Sequence, residues 1–336
     1  MDTITHIVLG ACTGEAIAGK PLGKKALLIG AVVNTLPDCD VLSNLWLDTD
    51  DALLAHRGFT HSFSFVFLGA AVIGFLFQRL FKKTGISLRF WFLFFSFELF
   101  LHTFIDAFNA YGTGWFEPFS HYRVSFNTIF VADPFYTSWL LIAFIALVIL
   151  RRLSPSRASW VRFGLGISTL YFMYCVVNKF KTGTDIKDIL RKQQIAYNNY
   201  FTTPTPLNNW LWYIVASVDS GYYLGYYSVF DSKKQIELHY FSKNDFLLAP
   251  YLGKEDVQHL IRFSKGLYTV QRWNGSLVFN DLRFGQIVGW YNPGANFVFH
   301  YFLYPKEDNE MVVQRGRFAQ WNLTVMRSLI RRIEGN

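Results

Sequence analysis

The sequence has few cysteines, and no repeat or low-complexity segment interrupts it. Its three cysteines, Cys12, Cys39 and Cys175, have no paired spacing, which argues against a disulfide framework. Positive charge is missing from Met1-Asp2-Thr3, ahead of the first apolar stretch, so we expect no cleavable signal peptide and a first helix that is retained. Residues 181–336 lack the long apolar runs that fill the first half of the chain.

The apolar residues are concentrated in residues 1–180. The chain is 51% hydrophobic and 19% aromatic. Four runs, at 62–81, 90–108, 135–150 and 160–180, each approach the ~20 residues needed to cross a bilayer. Shorter runs at 4–18 and 26–36 indicate short or partly buried helices. The pattern predicts an α-helical polytopic membrane domain with about 4–6 membrane helices.

The predicted elements follow from this division. Helices are expected at about 4–18, 25–36, 61–81, 89–108, 135–151 and 159–180, with a Gly- and Pro-rich loop at 109–134. An amphipathic helix at 185–200 and a linker at 202–206 come next. Strands are expected at 210–218, 222–230, 268–273, 276–279 and 297–303, with a hairpin turn at Asn274-Gly275, and helices at 255–264 and 318–333. The domains are therefore a membrane domain (1–182), a connecting segment (183–204) and a smaller α+β extramembrane domain (205–336).

The net charge of +8 has a distribution typical of membrane topology, not of nucleic-acid binding. Basic residues fall in three short loops, at 20–25, 82–89 and 151–162. If six helices alternate, all three loops lie on one side, which the positive-inside rule makes cytoplasmic. We therefore expect a multi-pass protein of the bacterial inner membrane, in contact with lipid and with no nucleic-acid partner.

Acidic and imidazole side chains gather next to these apolar runs, where they are costly unless they have a function. Pro37-Asp38-Cys39-Asp40 and His56-Arg57-Gly58-Phe59-Thr60-His61-Ser62 precede the third helix. His102 and Asp106 lie at i and i+4, on one face of the fourth helix. In the alternating topology all of them fall on the side opposite the basic loops, which predicts a site on the extracytoplasmic side.

This combination of imidazoles and carboxylates suits zinc or another divalent metal, and it exceeds the needs of one tetrahedral ion, so two ions are plausible. Asp38 and Asp40, in an extended segment, would point the same way. The predicted metal ligands are His6, Asp38, Asp40, His56, His61, His102 and Asp106. Asp133 and Glu98 are the candidates for catalysis, as a ligand, an orienter of a ligating His or a general base. His121 and Arg123, in the loop after the fourth helix, are candidates for contact with an anionic substrate.

Each of these residues also has a structural interpretation. A single His at a membrane interface is usually structural, and Asp38 or Asp40 alone can be a turn residue after Pro37. His121 and Arg123 can be loop residues that meet lipid headgroups. The convergence of five or more such residues on one side is what favours a metal site.

The same motifs resemble those of the bacterial LexA-regulated family of inner-membrane, metal-dependent hydrolases. The resemblance covers residues 1–180 and rests mainly on the strings that begin at Met1, Pro37 and His56, on His102 through Asp106, and on Ala132-Asp133-Pro134. Cys39 stands where the family usually has an aliphatic residue. The resemblance implies a membrane-bound, metal-dependent hydrolase, and a more distant similarity to zinc-dependent phospholipase C implies phosphoester chemistry.

The function expected from the sequence is hydrolysis of a lipid or lipid-linked phosphoester by metal-activated water at the outer face of the inner membrane. The alternative is a metal transporter or sensor that uses the same His/Asp cluster without hydrolysis. A transporter places ionisable residues near the bilayer midplane, and here only Glu98 lies there. A third interpretation makes the C-terminal domain the functional part, a binding module anchored by the helices.

Overall fold

The computed structural model describes residues 1–273, 275–303 and 321–335. They form two compact units. The first unit comprises Met1–Leu45, Ala55–Val176 and Pro206–Asn208, and the second comprises Trp46–Leu54, Val177–Thr205 and the described residues from Asn209 onward.

The first half of the chain is helical. Its helices are α1 (Thr3–Leu22), α2 (Lys25–Thr35), α3 (Thr49–Ala55), α4 (Phe63–Leu80), α5 (Leu88–Asp106), α6 (Pro134–Ile149) and α7 (Ser156–Lys192). A 3₁₀ helix, Leu36–Leu45, continues directly from α2. Four segments are long and apolar enough to cross a membrane, namely Lys25–Leu45, α4, α5 and α7, whereas α6 is shorter. The predicted fold class, a helical membrane part followed by a smaller α+β domain, is confirmed.

Polar side chains cap the N-termini of several of these helices. Asp2 accepts a hydrogen bond from the Thr5 backbone N–H (3.1 Å) and caps α1. Ser62 and Ser87 cap α4 and α5 in the same way. Asp133 caps α6, whose first residue is a proline.

Glycines allow α1 and α2 to cross at very short range. A Cβ on Gly30 would lie 2.0 Å from the Gly10 carbonyl oxygen, and one on Gly10 would lie 2.3 Å from the Asn34 Cβ. Gly10 and Gly14 are four residues apart on one face of α1, the small-residue spacing typical of close helix pairs in membranes. This crossing brings Asn34 of α2 within reach of His6 of α1.

The basic loops meet at one end of the helical unit. Lys24, between α1 and α2, donates to the Val148 carbonyl oxygen at the end of α6 (2.5 Å). Lys25 lies 5.8 Å from the ring centroid of Phe81, just after α4. His6, near the start of α1, and Asp106, at the end of α5, therefore lie at the other end.

The second unit contains two antiparallel sheets. One has the order β1 (Asn199–Pro204), β2 (Leu211–Val218), β3 (Gly221–Ser228) and β4 (Leu238–Ser242). The other has the order β5 (Tyr268–Trp273), β6 (Ser276–Gln286) and β7 (Phe297–Leu303). Helices α8 (Glu255–Phe263) and α9 (Leu323–Glu334) complete the unit. Trp273 pairs with Ser276, which confirms the two-residue hairpin, although Asn274 itself lies outside the described residues.

Three local predictions are wrong. The helices expected at 159–180 and 185–200 are one helix, α7, because a single weak helix former, Gly183, does not break a helix whose Ile186, Ile189 and Leu190 are buried. The end of the expected 185–200 helix and part of the 202–206 linker instead form β1, an edge strand that tolerates Pro204 at its end. Residues 318–320 of the predicted C-terminal helix lie outside the described residues, and α9 begins at Leu323.

The third wrong prediction is the extended conformation of the Pro37 segment, which is a 3₁₀ helix. Successive 3₁₀ residues are rotated by about 120°, so Asp38 and Asp40 point in different directions. The two carboxylates therefore meet opposite nitrogens of His61, Asp38 near Nε2 and Asp40 near Nδ1.

Candidate metal centre

Four side chains bring one ligand atom each to a common point at the end of the helical unit. They are Asp38, His61, His102 and Asp106, and their ligand atoms all lie within 4.8 Å of one another. The 3₁₀ helix after α2 supplies Asp38, the short 3₁₀ helix Phe59–His61 supplies His61, and α5 supplies the other two. His102 Nε2 and Asp106 Oδ2 are 3.8 Å apart, so the i, i+4 pair faces inward as predicted.

The spacing of these atoms fits a metal ion. His61 Nε2 lies 3.0 Å from His102 Nε2, and Asp38 Oδ1 lies 3.5 Å from the first and 3.6 Å from the second. Asp106 Oδ2 is 3.5 Å from His61 Nε2. A tetrahedral zinc with bonds of about 2.1 Å separates its ligand atoms by about 3.4 Å. The distance between the two Nε2 atoms is shorter than this value, and the three distances to carboxylate oxygens are slightly longer.

Hydrogen bonding alone leaves this arrangement incomplete. His61, His102 and Asp106 are fully buried, yet Asp106 Oδ2 receives no hydrogen bond from the residues that the structure describes. Thr60 and Asp40 occupy the Nδ1 side of His61, which leaves Nε2 as its lone-pair atom facing His102. A buried acceptor without a donor costs about 1–3 kcal/mol, so these four acceptors favour a cation in addition to Arg57, whose Nε lies 3.2 Å from Asp106 Oδ2. The donor set, two imidazoles and two carboxylates, suits a zinc-type ion.

Asp40 lies behind this group and holds two of the histidines. Its Oδ1 accepts from His56 Nδ1 (2.7 Å), and its Oδ2 accepts from Thr60 Oγ1 (2.7 Å) and the Arg57 backbone N–H (2.8 Å). Its Oδ2 is also 3.3 Å from His61 Nδ1. A carboxylate in this position orients an imidazole and fixes which nitrogen faces the ligand point.

His56 stands at the open edge of the centre. Its side chain is 34% exposed, whereas those of His61 and His102 are fully buried. Burial of the ring lowers the pKa of His56 below its usual value, although the bond to Asp40 acts in the opposite direction. The imidazole is thus neutral near pH 7, with Nδ1–H donating to Asp40 and a lone pair on Nε2.

His6 joins the centre through the second oxygen of Asp106. His6 Nε2 lies 3.1 Å from Asp106 Oδ1, and its ring stacks on that of His102 with centroids 3.7 Å apart. The Met1 amino group contacts the same oxygen. Asp106 therefore presents Oδ1 to His6 and Oδ2 to His61 and His102.

A buried polar chain fixes the orientation of His6. Asn34 Nδ2 donates to the backbone oxygen and to Oε2 of Glu98, both at 3.0 Å, so Asn34 Oδ1 faces His6 Nδ1 at 3.3 Å. Both ring nitrogens of His6 therefore face acceptor oxygens, Asn34 Oδ1 and Asp106 Oδ1, and a neutral ring can donate to only one of them. Thr13 Oγ1 lies 2.7 Å from Glu98 Oε1 and completes the chain.

Arg57 is a buried cation beside Asp106. Its Nε is 3.2 Å from Asp106 Oδ2, its Nη1 donates to Asn109 Oδ1 (2.8 Å), and its guanidinium lies over the Tyr111 ring. Its φ of +60° is unusual for a residue other than glycine and costs about 1–3 kcal/mol. The bond from its backbone N–H to Asp40 holds this conformation.

The three remaining predicted site residues have other partners. Both oxygens of Asp133 are occupied, Oδ1 by the Phe135 and Tyr136 backbone N–H groups and Oδ2 by the Tyr171 hydroxyl. Burial raises the pKa of Asp133 to about 6. Arg123 Nη2 donates to the His56 carbonyl oxygen (2.8 Å), which ties the loop after α5 to the His56 segment. His121 is exposed and pairs with Glu117 (2.8 Å).

Sequence reasoning missed three residues of the site. Asn34 and Thr13 are polar residues inside apolar helices, and that isolation was the available signal. Arg57 was included in the His56–Ser62 motif but had no assigned role. The Gly10 and Gly14 spacing could have indicated which helix packs against α1.

A second group of potential ligands lies in the other unit. His259 Nδ1 is 2.7 Å from Asp50 Oδ2 and 3.3 Å from Asp51 Oδ1. Asp51 is half exposed, and the Asp50 bond already satisfies the imidazole nitrogen. This group has the features of an ordinary surface ion pair.

Comparison with known proteins agrees with the membrane architecture. Residues 1–182, more than half of the 336-residue chain, match the family model of the YdjM inner membrane protein. The chain is 34% identical over 122 residues to the inner membrane protein YbcI of Escherichia coli, which is 36% of this chain and 69% of that protein. It is 33% identical over 142 residues to the uncharacterized protein YfhP of Bacillus subtilis, which is 40% of this chain and 42% of that protein. No solved structure matches. With its apolar helices, the chain is a multi-pass membrane protein that belongs to the YdjM family of inner membrane proteins.

Proposed function

We propose that this protein is a metal-dependent hydrolase that cleaves a lipid or lipid-linked phosphoester at the outer face of the inner membrane. The observation that carries the proposal is the buried meeting of His61 Nε2 and His102 Nε2, 3.0 Å apart, with Asp38 Oδ1 and Asp106 Oδ2. Such a group of acceptors is the arrangement expected around a divalent cation.

The residues divide into those that bind and those that orient. Asp38, His61, His102 and Asp106 would hold a first ion. His6, whose Nε2 lies 3.1 Å from Asp106 Oδ1, would be a ligand for a second ion. A zinc-type ion bound here supplies Lewis acidity, which acidifies water and polarises a phosphoryl oxygen.

His56 and Asp40 act at the exposed edge. Because Asp40 holds His56 Nδ1–H, the Nε2 atom is free to accept a proton from water or to bind the second ion. Asp40 thus orients both His56 and His61.

Glu98 acts through Asn34 on His6, as an orienter of that histidine and not on substrate. Asp133, with both oxygens taken by α6 and Tyr171, supports the helix start. Arg123 and His121 belong to the loop that a substrate anion would meet beside His56.

Several features support a lipid substrate and the outer orientation. The loop after α5 exposes Phe116, Phe119 and Tyr122, and Phe119 is 89% exposed. Apolar side chains beside a polar centre suit a molecule with a phosphate head and acyl chains. The basic loops at the opposite end favour a cytoplasmic location for that end, which puts the centre outside. The resemblance to LexA-regulated hydrolases and to zinc-dependent phospholipase C favours phosphoester chemistry.

The test combines metal analysis with activity on phospholipids and on a generic phosphodiester. Wild-type protein should contain a divalent metal and hydrolyse at least one of these substrates, and His56→Ala should retain its fold but lose activity. Metal uptake into proteoliposomes without hydrolysis would instead favour the transporter interpretation. Hydrolysis that is unchanged in His61→Ala would contradict the proposal.

A further inference from the structure

Helix α9 of the second unit has apolar residues on a buried side and on an exposed side. Val325 and Leu329 are buried and attach the helix to its unit. On the outer side, Leu323, Met326 and Ile330 are 75%, 37% and 52% exposed. Their spacing of three and four residues places them in one apolar stripe.

A basic stripe runs beside the apolar one. Arg327 and Arg331 are four residues apart on α9 and are both exposed. Neither forms a hydrogen bond or ion pair with any residue in the described part of the chain. Two uncompensated guanidiniums next to an apolar stripe are the pattern of a helix that lies in a membrane interface.

The basic stripe also forms one wall of a cavity of about 440 Å³. Its lining includes Tyr291, Thr324, Arg327, Ser328, Arg331 and Arg332. Arg332 is fixed by Asp231 (2.7 and 2.9 Å), so it is already neutralised. Ser328 accepts from Trp290 Nε1 (3.2 Å) and donates to the Val325 carbonyl oxygen (2.7 Å), so the wall is held in place. Arg327 and Arg331 remain as the cations available to a ligand.

We propose that α9 docks on an anionic membrane surface, with a lipid phosphate entering the cavity between Arg327 and Arg331. Guanidiniums match phosphate geometry, and Thr324 and Tyr291, which also line the cavity, are residues with a hydroxyl group. A soluble phosphate would use the arginines but would leave Leu323, Met326 and Ile330 in water. A lipid surface satisfies both stripes at once, and this chain belongs to an inner membrane protein family. The proposal is independent of hydrolysis.

The test uses the full chain in nanodiscs and a spin label on α9. Met326→Cys provides the labelling site, in a Cys39→Ser background because Cys39 is exposed, whereas Cys12 and Cys175 are buried. Accessibility to oxygen and to a soluble nickel chelate reports whether the label is in lipid or in water. We expect lipid exposure in nanodiscs that contain phosphatidylglycerol and water exposure in phosphatidylcholine alone.

The charge dependence is tested with matched double variants. One basic residue near an anionic surface strengthens binding about five-fold, so Arg327→Gln with Arg331→Gln should lower the ratio of docked to undocked helix about 25-fold. Arg262→Gln with Arg272→Gln removes the same charge from exposed positions elsewhere in the unit and should change the ratio less than two-fold. Near-UV circular dichroism checks that both variants are folded.

Three results would overturn the proposal. The first is a label that stays in water with phosphatidylglycerol. The second is a docked fraction that falls equally in both double variants. The third is a response to inorganic phosphate in phosphatidylcholine nanodiscs that equals the response to phosphatidylglycerol, which would assign the cavity to a free anion.

Discussion

Two fully buried carboxylates, one in each unit, differ in the hydrogen bonds that they accept. Asp281 receives Arg283 Nη2 at 2.6 Å, Arg283 Nε at 3.1 Å and the Arg283 backbone N–H at 3.0 Å. Asp106 has Arg57 beside it, but its Oδ2 receives no hydrogen bond from the described residues and faces His61 and His102. Burial is the same in both cases, but only Asp281 has its carboxylate oxygens matched by hydrogen bonds from one arginine.

The same contrast separates the two groups of His and Asp. His259 and Asp50 form a satisfied pair at a partly exposed position. His61 and His102 are buried with their Nε2 atoms 3.0 Å apart. Residue type alone does not distinguish these groups. Burial combined with unmet hydrogen bonding does, because it measures the free energy that a ligand would recover.

The largest effect is expected on metal affinity, when potential ligands are removed from each group. His61→Ala with His102→Ala should abolish metal binding, an affinity loss of more than about 100-fold, because even outer-shell changes cost about 10–100-fold. His259→Ala should leave the metal content unchanged. Inductively coupled plasma mass spectrometry of the purified proteins measures both. Equal losses in the two proteins would remove the distinction between the groups.

The next largest effect concerns the satisfied carboxylate. Asp281→Asn breaks a buried ion pair, so the free energy of unfolding should fall by about 3–5 kcal/mol. Metal content should not change. Asp106→Asn, by contrast, should lose the metal. Thermal unfolding in detergent, with and without a chelator, separates the two effects, and a chelator-sensitive Asp281→Asn protein would contradict the comparison.

A smaller effect is expected for the chain that orients His6. Asn34→Leu removes the acceptor that faces His6 Nδ1, and the predicted cost is about 10–100-fold in metal affinity. Glu98→Gln should cost less, since the Glu98 backbone oxygen still accepts from Asn34. Metal titration by calorimetry gives both values. Wild-type affinity in Asn34→Leu would show that His6 is not held by this chain.

The smallest effect tests how the helices bring His6 to the site. Gly30→Ala places a Cβ 2.0 Å from the Gly10 carbonyl oxygen and should destabilise the protein by about 1–3 kcal/mol. Gly166→Ala, at a position with nothing within 4 Å, should be neutral or slightly stabilising because alanine favours a helix. Thermal unfolding temperatures compare the two, and equal shifts would argue against a tight α1–α2 crossing.

Much of the fold follows from the sequence because long apolar runs and alternating strand patterns are local signals. The strands β5 and β7 have the predicted limits, and α4 and α5 differ by at most two residues from theirs. The fusion of two predicted helices into α7 could not be foreseen, because it depends on the burial of Ile186 and Ile189 in a sheet that forms later in the chain. Tertiary burial there outweighs the local signal from Gly183.

For the site, the sequence provided the residue types but not their arrangement. The i, i+4 spacing of His102 and Asp106 predicted a shared face because it depends on helix geometry alone. The separation of Asp38 from Asp40 depends on a 3₁₀ conformation that propensities do not specify. The roles of Asn34 and Arg57 depend on contacts between residues far apart in sequence, and no spacing rule predicts them.

The most direct test of the metal centre is X-ray absorption spectroscopy of the full-length protein after loading with zinc. We predict a first shell of nitrogen and oxygen only, with the multiple-scattering signal of two imidazoles, and loss of that signal in His61→Ala with His102→Ala. A shell that contains sulfur would point to Cys39 in place of Asp38 or Asp40. That result, or zinc bound with no imidazole signal, would contradict the assignment of Asp38, His61, His102 and Asp106 as the ligands.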